Sequence, residues 1–167
     1  SRVSPGFTVE NILIADMPVS PAAHANASER MNYFESILER ASHLPGVQAA
    51  GGASVLPVSG AGSIIHFNIQ GRPPKTPHDY VMANYRVATP GYLKALGIPL
   101  QQGRWFNDAD REGAPVAVVV NAAMAKMYWP NENPLGKFIK LGTVPTDDTP
   151  WMEVVGVIGN MKQGLAA

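Results

Sequence analysis

Glycine and proline interrupt this chain at short intervals. Sixteen glycines and fifteen prolines make up nearly a fifth of its 167 residues, whereas an average domain contains roughly 12%. Because proline stops helices and central strands and glycine favours turns, the chain is restricted to short elements joined by tight turns. The length suffices for one domain or two small subdomains with a proper hydrophobic core.

The composition excludes several classes of function. Thirteen basic residues balance thirteen acidic ones without any basic run, so neither nucleic acid nor an anionic membrane face is an expected partner. The absence of cysteine excludes disulfides, thiol catalysis and cysteine-based zinc sites. The longest mainly apolar stretch, residues 114–125, is shorter than the roughly 20 residues of a membrane-spanning helix. The chain opens without a signal peptide, and we interpret its start as a cut edge of a larger protein.

The first 60 residues predict a strand, a helix and a second strand. Residues 11–19 are apolar and partly β-branched, as in a strand. Asn26 is placed to cap the helix, with Glu29 three residues later as in a capping box. Residues 47–58 form the second predicted strand, which two adjacent glycines weaken. The small residues 59–63 follow as a linker and mark the predicted subdomain boundary.

The remaining residues, 61–167, predict a mixed α/β subdomain of short elements. Strands are expected at residues 65–69, 80–87, 116–120, 137–141 and 152–158. The third of these is a continuous apolar run, which favours burial on both faces. Asn121 is expected to cap a helix that continues through Tyr128 and ends at Pro130.

Residues 88–106 contain the densest set of residues that begin or end a helix in the chain. Thr89 is the expected N-cap, Pro90 the first helical residue and Gly97 the residue that ends a two-turn helix. Pro99 prevents its continuation. The stretch therefore predicts a rigid corner whose conspicuous residues shape the backbone.

A short acidic stretch imitates the first half of a calcium-binding loop. Asp108, Asp110 and Glu112 occupy the spacing of the first three ligands, and Gly113 follows them. The final ligand position, which should be glutamate, is Val119 inside an apolar run. A solvated turn is therefore the favoured interpretation over a cation site.

Other candidate sites are incomplete. Gly60 and Gly62 lack the third glycine and the lysine of a phosphate-binding loop, and Ser54 and Ser59 lie outside a nucleophile elbow. The four histidines are scattered, with none spaced as a helical zinc pair. We therefore predict no catalytic residues, no metal and no cofactor.

A series of short motifs runs from about residue 4 to about residue 165 and includes Tyr85-Arg86-Val87, Pro90-Gly91-Tyr92, Leu96-Gly97-Ile98-Pro99-Leu100, Gly103-Arg104, Val120-Asn121, Trp129-Pro130, Pro134-Leu135-Gly136-Lys137 and Val154-Val155-Gly156-Val157. In this order the motifs resemble the extracytoplasmic core domain of MacB-like/FtsX-like ABC transporter permeases. Each is weak alone, but their joint order is specific.

The resemblance implies an α+β fold with a porter-like βαβ half, residues 1–60, and an inserted mixed α/β subdomain, residues 61–167. It places the domain outside the cytoplasm between two membrane helices of a permease driven by a cytoplasmic ATPase. The domain would be non-catalytic and would transmit motion to a substrate or an outer partner protein. Ala122 stands where many relatives have an acidic residue, and the family's second βαβ segment would follow this chain.

Ten residues carry the structural part of the resemblance: Pro90, Gly91, Tyr92, Gly97, Pro99, Gly103, Asn121, Trp129, Pro130 and Gly136. Homodimerisation is a further hypothesis, because an unpaired porter half exposes a sheet edge or helix face. Two other functions stay open on the sequence: a free-standing soluble binding module for a ligand or protein, and a small hydrolase using Ser59 with a distant histidine. Export, lipoprotein release and signalling are not distinguished.

Overall fold

The computed structural model describes residues 11–15, 26–54, 63–74, 76, 79, 81–111, 113–143 and 148–160. Within them the chain forms three helices and six strands, which confirms the α+β prediction. They are α1 (Ala27–Ser42), β1 (Ser63–Ile69), β2 (Val81–Tyr85), α2 (Tyr92–Leu96), β3 (Leu100–Gly103), β4 (Ala117–Asn121), α3 (Ala122–Tyr128), β5 (Phe138–Leu141) and β6 (Met152–Ile158).

The six strands form one sheet centred on β6. The order is β2-β1-β5-β6-β3, with β4 also paired to β6. β4 runs parallel to β6 along one edge, while β5 and β3 are antiparallel to it. β5 meets Met152 and Glu153 at the start of β6, whereas β3 meets Gly156 to Ile158 at its end. The predicted strand at residues 152–158 is therefore confirmed, and it organises the sheet.

A main hydrophobic core holds α3 against the sheet. Its buried members are Phe67, Ile69, Val120, Ala125, Trp129, Ile139, Met152, Val154 and Val157. Trp129 immediately follows α3, and its ring is buried in this cluster. The aromatic end of the helix is thus part of the core.

The predicted cap and end of α3 are confirmed. The Asn121 side chain accepts a hydrogen bond of 2.8 Å from the backbone N–H of Met124. The helix ends at Tyr128, and the exposed Pro130 lies just beyond it. Gly136 then turns the chain into β5 with a positive φ of 78°. This turn is held by a 2.9 Å bond from the Gly136 N–H to the Val154 carbonyl.

Two strand predictions need correction. Residues 116–120 were expected to be buried on both faces, but only Val120 is buried, residues 117–119 are half-buried and Val116 is exposed. The reason is that β4 pairs with β6 alone among the described strands, which leaves its other edge without a described ladder. β3 was not predicted, because its four side chains are exposed and show no apolar alternation. Its pairing with β6 is set by tertiary contact.

The N-terminal part is confirmed only in its helix. α1 begins after Asn26, whose side chain accepts a 2.8 Å hydrogen bond from the Glu29 N–H. The strand predicted at 11–19 is absent from residues 11–15, and residues 16–19 lie outside the described part. The strand predicted at 47–58 is reduced, over residues 47–54, to one bridge between Ala53 and Ala88. Residues 55–58 lie outside the description.

Gly97 ends α2 as predicted, although the helix has five residues and not two full turns. Its φ is 61°, in the left-handed region. The Ile98 N–H then donates to the Leu93 carbonyl at 2.9 Å, which closes the helix.

We expect Gly97→Val to lower the free energy of unfolding by about 1–3 kcal/mol, because a β-branched side chain is strained at positive φ. Thermal unfolding measures this, with Gly97→Asn as the matched control, since asparagine tolerates the left-handed region. Equal melting temperatures for Gly97→Val and the parent chain would contradict the argument.

Candidate functional site

The residues that link α1 to the sheet form a backbone junction. We define the junction as residues 50–54 and residues 87–91, which run antiparallel through the Ala53–Ala88 bridge. The Ser54 N–H donates to the Val87 carbonyl at 2.8 Å, and the Thr89 N–H donates to the Gly52 carbonyl at 2.9 Å. These two bonds tie the N-terminal part of the chain to the rest.

Two glycines allow the junction to close. A Cβ atom on Gly91 would lie 2.0 Å from the carbonyl oxygen of Ala50, and one on Gly51 would lie 2.4 Å from the carbonyl carbon of Gly91. Both distances are far below any van der Waals contact, and the neighbouring atoms belong to the backbone. Only glycine therefore permits the two segments to approach this closely.

On one side the junction contacts α1. A Cβ on Gly52 would lie 2.3 Å from the Cζ atom of Phe34, so the ring of Phe34 packs directly on the Gly52 backbone. Phe34 lies in α1 and is half-buried. The helix is thereby fixed to the junction through a ring on a flat backbone surface.

On the other side the junction leads into a second hydrophobic cluster. Its buried members are Tyr92, Leu93, Leu96, Ile98 and Ile158. Because Ile158 is the last residue of β6, this cluster joins α2 to the central strand of the sheet. The Trp105 ring stacks on Tyr92 at a centroid distance of 6.4 Å, and its Nε1 donates to the Thr89 carbonyl at 3.3 Å.

The start of the corner differs from the sequence prediction. α2 begins at Tyr92, its N-cap is Gly91, and no side chain caps it. The Thr89 hydroxyl instead accepts a 2.9 Å hydrogen bond from the Gly52 N–H, and Pro90 precedes the helix in the turn. Thr89 and Pro90 were wrongly placed as N-cap and first helical residue, because the hydroxyl is taken by a residue 37 positions away.

The ten motif residues fall into two groups. Pro90, Gly91, Tyr92, Gly97, Pro99 and Gly103 surround α2 and β3, whereas Asn121, Trp129, Pro130 and Gly136 surround α3. In the first group the Pro99 carbonyl accepts from the Gly159 N–H at 3.0 Å, which fixes the chain after α2 to the end of β6. Sequence reasoning missed Gly51, Gly52 and Phe34 as junction residues. The signal available in the sequence was the adjacent pair Gly51-Gly52, together with the Pro90-Gly91 pair further along the chain.

Tyr92 carries the one unusual polar group of this corner. The side chain is 4% exposed, and its hydroxyl has no hydrogen-bond partner among the described residues. Burial raises the pKa of the Tyr92 phenol, while the positive charge of Arg86 lowers it in part. The phenol therefore stays neutral at physiological pH and contributes mainly its ring to the core.

We expect Tyr92→Phe to leave the free energy of unfolding unchanged or to raise it by about 1 kcal/mol, because a buried hydroxyl without a partner costs stability. Tyr92→Leu is the matched comparison and should be destabilising by about 2 kcal/mol or more, since it also removes the stacked ring. Thermal unfolding of both variants measures these changes in stability. A clear fall in the melting temperature of Tyr92→Phe would show that the hydroxyl is bonded in the folded chain.

The acidic stretch is organised by an ion pair. Both Asp110 carboxylate oxygens accept hydrogen bonds from Arg104, at 2.6 and 2.8 Å. These bonds and the charge of Arg104 lower the pKa of Asp110. Glu112 lies outside the described residues. Where the chain is described, no three metal-ligating side chains of His, Cys, Asp or Glu lie together.

The remaining sequence candidates are not assembled into a site. Ser59, His24 and His78 lie outside the description. His43 contacts the Glu39 carbonyl at 2.8 Å through Nδ1, at the end of α1. The described helices include none with the length and apolar character needed to cross a membrane.

The chain matches one protein family over nearly its whole length. The family is the MacB-like periplasmic core domain, and the match covers residues 5–166. A curated relative, the pyoverdine export ATP-binding/permease protein PvdT of Pseudomonas entomophila (strain L48), is 36% identical over 61 residues. That alignment covers 36% of this chain and 8% of the relative.

Solved structures share the fold. The periplasmic region of MacB from Actinobacillus actinomycetemcomitans has a TM-score of 0.55 and 20% identity, over 78% of this chain and 52% of that one. The extracellular domain of the noncanonic ABC-type transporter YknZ from Gram-positive bacteria has a TM-score of 0.51 and 19% identity, over 75% of this chain and 57% of that one. The chain thus spans about half the length of these structures.

Proposed function

The chain belongs to the family of MacB-like periplasmic core domains, and on that premise we propose that it is a non-catalytic transmission element of an ABC transporter permease. It lies on the outer side of the membrane, carries the ATP-driven motion of the membrane helices, and delivers it to a substrate or partner protein. The observation that carries this proposal is the junction, which joins α1 to the sheet through the packing of the Phe34 ring on Gly52 and through hydrogen bonds between residues 50–54 and 87–91.

The path of transmission follows rigid elements. It runs from α1 through Phe34 to Gly52, then across the junction to Thr89. From there α2 and its buried cluster continue it to Ile158 at the end of β6. Each step is a backbone hydrogen bond or a closely packed contact, and such contacts transmit displacement because they are not easily compressed.

The division of the chain into two parts supports the same proposal. All six described strands lie between residues 63 and 158, whereas α1 precedes them. We propose that residues 1–60 are the porter-like segment and residues 61–167 the inserted subdomain. In this arrangement the junction is a point where the two parts meet within the described residues, so a force on one part can pass through it to the other.

The encoding reading frame gives the first test. If the chain is a permease domain, apolar segments of roughly 20 residues flank it in the full protein. A frame that lacked such segments would overturn the proposal and favour a free-standing binding module.

Locking and loosening the junction give the second test. In the full permease with its ATPase, Ala53→Cys with Ala88→Cys places a disulfide across the bridge, since non-hydrogen-bonded antiparallel pairs have Cα atoms about 4.5 Å apart. The described domain lacks cysteine, so this bond is unique there. We expect the locked protein to retain substrate-coupled ATP hydrolysis and Gly91→Ala to lose the coupling. Lost coupling in the locked protein, against an active reduced control, would contradict transmission through a closed junction.

A further inference from the structure

An open cleft of about 230 Å³ lies on the face of the sheet opposite the main core. Its floor is formed by Glu153 and Val155. These alternate along β6 with the buried Met152 and Val154 and therefore point to the other face. The segment between β3 and β4 forms the walls.

The charges in the cleft are not balanced. Arg104 and Asp110 satisfy each other through two hydrogen bonds. The Glu153 carboxylate is also on the floor, and within the described residues it makes neither a hydrogen bond nor an ion pair. Its charge acts on Arg104 only at longer range. One guanidinium therefore faces two carboxylates, which leaves negative charge for a ligand to neutralise.

The rest of the lining is small and apolar. Residues 114–117 form one wall, and Val116 is 40% exposed there. With Val155 on the floor, they provide an apolar surface in the same cleft as the free Glu153 carboxylate. Lysine and arginine side chains have this combination of an apolar stem and a cationic end. The cleft is open, so it would cover one side of a ligand, which suits a side chain carried on a larger molecule more than a free small molecule.

We propose that this cleft binds a lysine or arginine side chain of a partner protein segment, with the cationic group on Glu153 and the stem against Val116 and Val155. The Arg104–Asp110 pair holds the wall in place and repels a second cation less than a bare guanidinium would. This inference goes beyond the proposed function, because it concerns recognition by one face of the sheet and stands whether or not the junction transmits motion.

The test is an NMR titration of the isotope-labelled full chain with the peptide acetyl-Ala-Lys-Ala-amide. We expect saturable amide shifts at residues 114–117 and 153–155 that weaken as salt is added. The matched peptide with norleucine in place of lysine should give no saturable shift. Glu153→Gln should weaken binding by about three-fold to five-fold, whereas Glu35→Gln on α1 should leave it unchanged.

Three results would overturn the proposal. The first is the absence of a saturable shift with the lysine peptide, and the second is equal binding of the norleucine peptide or of Glu153→Gln. The third is tighter binding of n-butylamine than of the peptide, which would assign the cleft to a small amine and not to a protein segment. The salt dependence is read on the parent chain, so the test holds even if Glu153→Gln fails to fold.

Discussion

We expect the replacement of Gly91 by alanine to lower the free energy of unfolding by about 2–3 kcal/mol, a fall of roughly 5–10 °C in melting temperature for a domain of this size. The backbone of Gly91 has φ −76° and ψ −10°, which alanine adopts without strain. The cost therefore comes from the new methyl group alone, which would lie 2.0 Å from the Ala50 carbonyl oxygen. Because that neighbour is backbone, the junction itself must open.

Lys94→Ala is the matched control for this prediction. Lys94 lies in the same short helix and its side chain is exposed, so its loss should change stability by less than about 0.5 kcal/mol. Hydrogen exchange gives a second readout, with faster exchange expected at the Ser54 and Thr89 amides in Gly91→Ala. A variant that melts with the parent chain would show that the two segments are not in contact in solution.

Gly103→Ala has the second large expected effect, a loss of about 3 kcal/mol. Two costs combine at this position. The φ of Gly103 is 70°, and a Cβ there would lie 2.2 Å from the Val155 carbonyl oxygen and 2.8 Å from the Leu135 Cδ2 atom. The added atom therefore pushes β3 away from β6, which should also expose the Arg104 amide that bonds to Val155.

Gly136→Ala separates these two costs. Gly136 has a similar φ of 78°, but a Cβ added there would have nothing within 4 Å of it. Its replacement should cost about 1 kcal/mol, the penalty of positive φ alone. Thermal unfolding of both variants measures the difference, which is the steric term between β3 and β6. Equal losses of stability for the two variants would mean that β3 can move away from β6 without a cost in free energy.

The elements that sequence reasoning predicted well carry their signals locally. α1 and α3 each begin at an asparagine whose side chain bonds to the helix within three residues, and these caps are visible in the sequence. β6 is a mainly apolar stretch with Glu153 at its second position, and it becomes the centre of the sheet. In each case the stretch of chain itself holds the contacts that specify it.

The junction could not be predicted in the same way, because its contacts join distant parts of the chain. Threonine is a favoured N-cap residue. Thr89 does not cap α2 because Gly52 approaches it and the Gly52 N–H donates to its hydroxyl. Gly51 and Gly52 have a low propensity for strands, which is what the sequence shows. Their lack of side chains also lets Gly91 approach Gly51 and the Phe34 ring approach Gly52. β3 was missed for a related reason, since its exposed residues pair only where β6 is present.

The central claim is that α1 and the sheet move together, and a spin-label distance tests it most directly. Labels at Glu35 on α1 and Met82 on β2, both exposed, would be introduced as single cysteines into the full permease with its ATPase. The distance between the two labels would be measured without nucleotide and with ATP bound. We expect one distance distribution that is the same in both states. A shifted or second distance on ATP binding would contradict it, because the junction would then be a hinge.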